Sequence, residues 1–337
     1  MDIKPVDDWQ KFHHVGRSLA EKNNFQIPHD QIPISKFGLQ DYGLWVSEEI
    51  DLKGRVAAFI HPDFDKGFIG WFESDPNEEL AHTLLQKALQ WLKSRGVNEV
   101  IGPVNGNIWG DYRFNVSGEH PLFVGEIAQP QFYPETWKSF GFKPYDNYYT
   151  KIFKVDDLEG VPWEKINGML AQQGFTLKTT SREVFDHYKE KIYDLVIRCF
   201  SYANHPLFSP ISYEEFLMRY DSIPETVPEE FSLLLINKKD DPIGFFLNYP
   251  SPYLPDAKNG DQSYKTIVAK TWVVDPSFVG PRVAYSWPKL PPSLAKKLNM
   301  AYQVNAFMHE DNHSLKFFKK ERTHALRHYQ LFSYKLN

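Results

Sequence analysis

Apolar positions recur along this chain with two periods, and the switch between them marks its elements. Between Gly67 and Asn105 a compact apolar run, Phe68 to Phe72, gives way to Leu80, Ala81, Leu84, Leu85, Ala88, Leu89 and Leu92. That three-and-four spacing lays one stripe along a helix, to be buried against a sheet. Asp75 and Pro76 read as the N-cap and first helical residue, and Gly96 as the stop. A second apolar run, Val100 to Val104, follows, and a crossover of this length makes the two strands parallel neighbours. The pattern predicts a βαβ unit.

The same order recurs further on. Ile267 to Asp275 reads as a strand, PSFVGPRVA as a loop, Ser293 to Leu298 as a short helix and Tyr302 to Met308 as the next strand. Asp311 and Asn312 then cap a helix through Lys320, and Arg327 to Leu336 is a last strand answering the aromatic run Asp146 to Phe153. Arg219 to Phe246 supplies a helix and a first hairpin. Recurrence of this order marks a tandem architecture. The acidic, Gly- and Pro-containing stretch Val155 to Pro162 is the natural boundary, predicting units over 1–155 and 156–337. The helix Trp163 to Gln173 closes the first unit or opens the second.

Composition agrees and narrows the class. A chain of 337 residues suits two domains, and 42% hydrophobic with 16% aromatic residues gives both a core. A net charge of -5 argues against nonspecific nucleic-acid or membrane partners, which favour basic surfaces. No long apolar run occurs, and the segment MDIKPVDDWQKFHH has no hydrophobic signal core. The single cysteine, Cys199, forms no internal disulfide, so the expected home is the cytoplasm.

Three segments narrow the family: GPVNGNIWGDYRF (Gly102 to Phe114), QFYPETWKSFGF (Gln131 to Phe142) and DNYYTKIF (Asp146 to Phe153). Their order resembles the back half of a GNAT-type acyl-CoA N-acyltransferase domain, in which a tyrosine-bearing helix leads to a Gly-Phe turn and a last pair of strands. Tyr133, Gly141 and Phe142 fall at those places. The resemblance implies an α/β fold of two tandem GNAT-like units, each a mixed central sheet flanked by helices. It also implies acetyl-CoA or another acyl-CoA as co-substrate and a small amine as acceptor. Such a site uses N–H groups at a helix start for the pyrophosphate, a splayed strand edge for pantetheine, and a proton acceptor and donor.

Carried onto this chain, the resemblance puts Val273 and Val274 on the strand edge, Gly280 and Arg282 in the pyrophosphate loop, and Asn312 beside the cofactor. The loop departs from the family pattern. Ser277 stands at the basic position, Pro281 removes an N–H donor, and Arg282 offers a cation instead. A plain Gly-Pro turn explains the loop equally well. In the first unit SDPNEE, Ser74 to Glu79, suits a helix dipole but repels pyrophosphate, so no CoA is expected there. The proton donor splits the other way: the resemblance implies Tyr133 for that role in the first unit, where the second has Phe317 and Phe318. This pattern fits a site assembled from both halves, or a silent fold kept for ligand binding. Fem-type aminoacyl transferases also resemble tandem GNAT units, but the acidic balance weighs against their tRNA partner.

Two further motifs bear on chemistry. HEDNH, His309 to His313, matches a zinc-site pattern that works only with both histidines on one helical face. Here His309 follows a strand and a cap falls between the pair, so surface histidines and no metal are expected. Trp109, Tyr112 and Arg113 follow a strand end, where α/β sheets commonly bind ligands, and Arg113 suits a substrate carboxylate. With Tyr133 they are expected to line a pocket; packing of the aromatic residues explains them equally well. His13, His14 and His205 show no metal-ligand spacing.

Overall fold

The computed structural model describes residues 2–23, 32–39, 41–49, 52–118, 120–203, 205–252, 265–278, 289–312, 315 and 322–336. In chain order its main elements are β1 (Lys4–Pro5), α1 (Trp9–Lys22), β2 (Asp41–Glu49), β3 (Leu52–Ile60), β4 (Gly67–Ser74), α2 (Glu78–Lys93), β5 (Glu99–Gly102), β6 (Phe114–Asn115) and α3 (Phe132–Phe140). There follow β7 (Lys143–Lys154), α4 (Trp163–Gln172), β8 (Thr176–Thr179), α5 (Arg182–Tyr202), α6 (Tyr213–Tyr220) and α7 (Ile223–Thr226). The chain continues through β9 (Ser232–Ile236), β10 (Pro242–Ser251), β11 (Thr266–Val274), α8 (Leu290–Lys297), β12 (Tyr302–His309) and β13 (Ala325–Lys335).

Two compact units divide the chain discontinuously. The first comprises Met1–His120, Ile127–Asn147 and His328–Asn337; the second comprises Pro121–Glu126 and Tyr148–Arg327. A cut between Val155 and Asp156 therefore falls inside the second unit. Strand pairing explains the exchange: the segment of β13 in the first unit pairs with β5 and β6, while the segment of β7 in the second pairs with β12.

In the first unit the strand order is β1-β2-β3-β4-β5-β13, and β4 and β5 are parallel through Gly67↔Val100 and Phe68↔Ile101. This is the βαβ unit that the apolar period predicts, and all seven stripe residues of α2 are buried. They pack with Trp45, Val56, Ile69, Val100, Trp137 and Phe332. The N-cap of α2 is Asn77, whose Oδ1 accepts the Leu80 N–H at 2.8 Å, and not Asp75. The Asp75 carboxylate instead receives the Lys53 N–H at 2.8 Å and Lys22 Nζ at 2.6 Å, so the helix begins after it.

In the second unit the order is β7-β12-β11-β10-β9-β8, with β11 and β12 parallel. Helix α8 makes the crossover. It starts earlier than its leucine spacing alone suggests, because Pro291 and Pro292 occupy the first turn, where a missing N–H costs nothing. On α5 the side chains of Phe185, Tyr188, Ile192, Leu195, Val196 and Cys199 are buried. Burial, reinforced by the nearby Asp275 charge, pushes the Cys199 thiol up to about 12. Such a thiol holds about a thousandfold less thiolate near neutral pH than an ordinary one. Iodoacetamide at pH 8 is accordingly expected to leave Cys199 unmodified in the native chain and to alkylate it in urea; rapid native labelling contradicts this assignment.

Among the described residues, no helix is long and apolar enough to cross a membrane.

Candidate active site

Both units leave their parallel strand pair early, and they differ in what lies beyond. In the first unit β4 is kinked at Trp71, with φ of 45°, and its register against β3 slips between Arg55 and Ala57. The chain leaving β5 follows the edge of β4 closely: the Val104 N–H donates to Ile69 O at 2.9 Å, and Asn105 Oδ1 accepts the Trp71 N–H at 2.6 Å. A Cβ on Gly70 would lie 1.9 Å from Val104 O, so only glycine permits this approach. The Trp71 ring is packed against Trp9, Phe37 and Phe59. Asn77, Glu78 and Glu79 then occupy the start of α2.

Tyr133 lies on α3 and is buried in the core shared with Phe72 and Phe114. Its hydroxyl accepts the Ser74 N–H at 3.0 Å and donates to Ser74 O at 3.3 Å. Burial, and secondarily the Glu73 charge, raise its pKa far above the usual phenol range. Arg113 is buried, its guanidinium stacks 4.0 Å above the Tyr112 ring, and its N–H donates to Pro103 O. Its φ of 72° marks a turn out of the bridge that joins Tyr112 to Val104. Trp109 is half-buried, with its N–H on Asn107 Oδ1 at 3.0 Å. The structure thus joins Tyr112 to Arg113, and it seats the Tyr133 hydroxyl on the backbone of β4.

In the second unit the registered pairing of β11 with β12 ends at Ala269↔Asn305. Lys270 is the extra residue of a bulge, since Leu247 and Asn248 of β10 face Thr271 and Ala269. Beyond it Val273 and Val274 pair with Phe245 and Gly244 of β10. β12 bends in turn at Phe307, whose φ is 58° and whose N–H donates to Thr150 Oγ1 at 3.1 Å. Two bends just past the last shared pair splay the strands. On this opening Lys270 Nζ lies 4.4 Å above the Phe307 ring, which Phe123 meets at 5.7 Å.

Asp275 follows β11 and organises the start of the loop. Its carboxylate accepts from Arg198 at 2.7 and 3.1 Å, and from Ser277 N–H at 3.0 Å and Oγ at 2.6 Å. Burial alone would raise the Asp275 carboxyl, but these donors outweigh it and hold its pKa below the ordinary value. Gly280 and Arg282, like Phe317, Phe318 and His313, lie outside the described residues. Asn312 is exposed in the turn after β12, its N–H on His309 O at 2.9 Å.

Three rings that sequence spacing did not connect converge in this unit. Tyr148 on β7 has its hydroxyl 2.9 Å from His205 Nε2. The His309 ring lies 5.1 Å from Tyr148 and 5.3 Å from His205. His309 is buried rather than on the surface: β12 continues to it and pairs it with Tyr148. The strand alternation of YQVNAFM signals burial along β12, but the extra residue at Phe307 decides the face on which His309 emerges. Nothing local to His205 signals its partner.

Two sets of mixed strands, each centred on a βαβ crossover, define a tandem GNAT-like fold. By sequence, no family model and no curated protein match this chain. Solved structures match its fold. One is described as a unique GCN5-related glucosamine N-acetyltransferase region in a fungal multi-domain GH3 β-N-acetylglucosaminidase; it aligns over 99% of this chain at 13% identity and a TM-score of 0.53. This chain spans only 38% of that one. A GCN5-related N-acetyltransferase from Sphaerobacter thermophilus aligns over 99% of this chain and 95% of its own, at 12% identity and a TM-score of 0.50. A tandem GNAT protein from the clavulanic acid biosynthesis pathway covers 99% and 98%, at 10% identity and a TM-score of 0.50. Likeness at such identities establishes the fold, and the chemistry has to be argued from the site.

Proposed function

We propose that the chain is an acyl-CoA-dependent N-acyltransferase acting on a small amine, and that acyl transfer belongs to the second unit. The observation that carries this reading is the divergence of β11 from β12: their registered pairs end at Ala269↔Asn305, and the bulge at Lys270 and the bend at Phe307 follow at once. Thr271 to Val274 are registered against β10 on one side, and the pairing with β12 has already ended. An antiparallel strand directs alternate N–H and C=O groups away from its partner, and the amides of pantetheine suit such an edge. Val273 and Val274 would hold that arm, with Gly280, Arg282 and Asn312 toward the phosphates. The group supplies a thioester for the transfer. The corresponding edge in the first unit already carries Val104 and Asn105, and carboxylates stand at the helix start, so that unit supports the fold and binds no CoA.

Calorimetry with acetyl-CoA tests the reading. One site per chain is expected, abolished by Gly280→Trp and unchanged by Glu78→Ala, with circular dichroism confirming that both variants fold. Binding that survives Gly280→Trp and disappears with Glu78→Ala would place the cofactor in the other unit.

A further inference from the structure

We propose that Lys270 selects the acceptor of the second unit: a small amine that also carries an anionic group, a carboxylate or a phosphate. This rests on the acyl-transfer reading above and names the substrate class for the same opening.

Backbone geometry brings the ammonium there. Lys270 is the bulge residue of β11, one position past the last pair shared with β12, and a bulge re-aims its side chain out of the strand's alternation. Its Nζ lies 4.4 Å from the centre of the Phe307 ring, and Phe307 is the residue at which β12 bends. The side chain therefore reaches from one diverging strand to the other. A turn borders it: the Glu126 N–H donates to Phe123 O at 3.0 Å, Gly125 adopts a φ of 85°, and the Gly125 carbonyl accepts from Lys270 Nζ at 3.5 Å. Lys270 is nonetheless exposed, so ring and carbonyl hold its charge where a ligand entering the opening meets it.

The charges along the surrounding strands are of one sign. β11, β12 and residues 148–154 of β7 contain Lys151, Lys154 and Lys270 and no carboxylate, in a chain whose net charge is -5. Of the acids adjoining these strands, Asp275 is engaged by Arg198 and Ser277, and Glu126, on the turn that Lys270 touches, is buried against Arg327. Glu310 and Asp311 come after the end of β12. A cation placed in this way attracts an amine that bears an acid group and repels a bare alkylammonium, which is discrimination by charge.

Turnover on the full chain tests this with acceptors in pairs: α- and ω-amino acids against their amides, and O-phosphoethanolamine against ethanolamine. The acid member is expected to have a kcat/KM at least about tenfold higher, through KM, as a hydrogen bond to a charged group supplies. The pair that shows it separates carboxylate from phosphate. Lys270→Met is expected to bring the two members within about twofold, Lys270→Arg to keep the preference, and both to bind acetyl-CoA like the wild type. Equal use of both members by the wild type, or a preference that survives Lys270→Met, overturns the proposal. Weakened acetyl-CoA binding in Lys270→Met puts the ammonium on the co-substrate's phosphates and overturns it too. Titration without co-substrate separates the two readings. In a chain labelled with nitrogen-15 at lysine and phenylalanine, N-acetylglycine or N-acetyl-O-phosphoethanolamine is expected to shift the Lys270 and Phe307 amides, and N-methylacetamide and N-acetylethanolamine to leave them in place. Lys270→Met should abolish the shift at Phe307. If that shift appears while acetyl-CoA does not bind, the acyl-transfer reading fails and the anion site stands; if neither acid shifts these amides, the anion site fails whether or not acetyl-CoA binds.

Discussion

Ending the chain after Arg327 is expected to unfold the first unit. The removed segment is sequence-distant from everything it completes. It pairs Phe332 to Lys335 with Gly102 to Glu99 of β5, and Tyr329 and Gln330 with β6. Phe332 is fully buried among Phe114, Trp137 and the leucines of α2, and the Leu336 N–H donates to Asn98 O. Loss of one buried phenylalanine alone costs about 3–5 kcal/mol. Domains are stable by only about 5–15 kcal/mol in all. Removing the paired backbone as well exposes the edge of β5 and leaves the core of α2 open on that side. Hydrogen exchange is the direct measurement: amides of α2, β4 and β5 should lose their slow exchange in the truncated chain. Full protection there would mean that the first unit folds without its last strand.

Arg327→Met should be the most damaging single substitution in the second unit. Arg327 and Glu126 form an ion pair with side-chain exposures of 4% and 0%, and Arg327 Nη2 also donates to Pro121 O at 2.7 Å. The guanidinium lies 5.0 Å from the Phe123 ring, which enters the core with Ile152, Val268 and Val304. Removing one partner leaves a carboxylate buried without its cation, a loss of about 3–5 kcal/mol. Replacing both, as in Glu126→Leu with Arg327→Met, removes the stranded charge and should restore most of the stability. Urea titrations of the single and double variants test this. A double variant no more stable than Arg327→Met alone would show that the pair acts through packing.

The contrast between Asp75 and Asn77 shows how far local reading reaches. Both are good capping residues, and the choice between them rests on Lys53 and Lys22, which approach Asp75 from other elements. The same holds at the sites. The carboxylates opening α2 are legible in SDPNEE, but the closure of the β4 edge depends on Asn105 reaching Trp71, a contact between residues 34 apart. Tyr133 sits at the place that the family resemblance implies, on a helix before a Gly-Phe turn, yet its hydroxyl is directed at Ser74, 59 residues away.

What the sequence determined by itself is whatever depends on neighbours along the chain. The stripe of α2, the strands that flank it, their parallel relation and the recurrence of that order in the second half all follow from side-chain period and crossover length. The tertiary structure decided which strand completes which unit, which splayed edge is closed, and that His205 meets Tyr148 across 57 residues. Strand exchange and side-chain convergence depend on register and on bulges such as those at Lys270 and Phe307. One added residue in a strand reverses the face of everything after it, and the energy that selects it comes from partners that periodicity does not see.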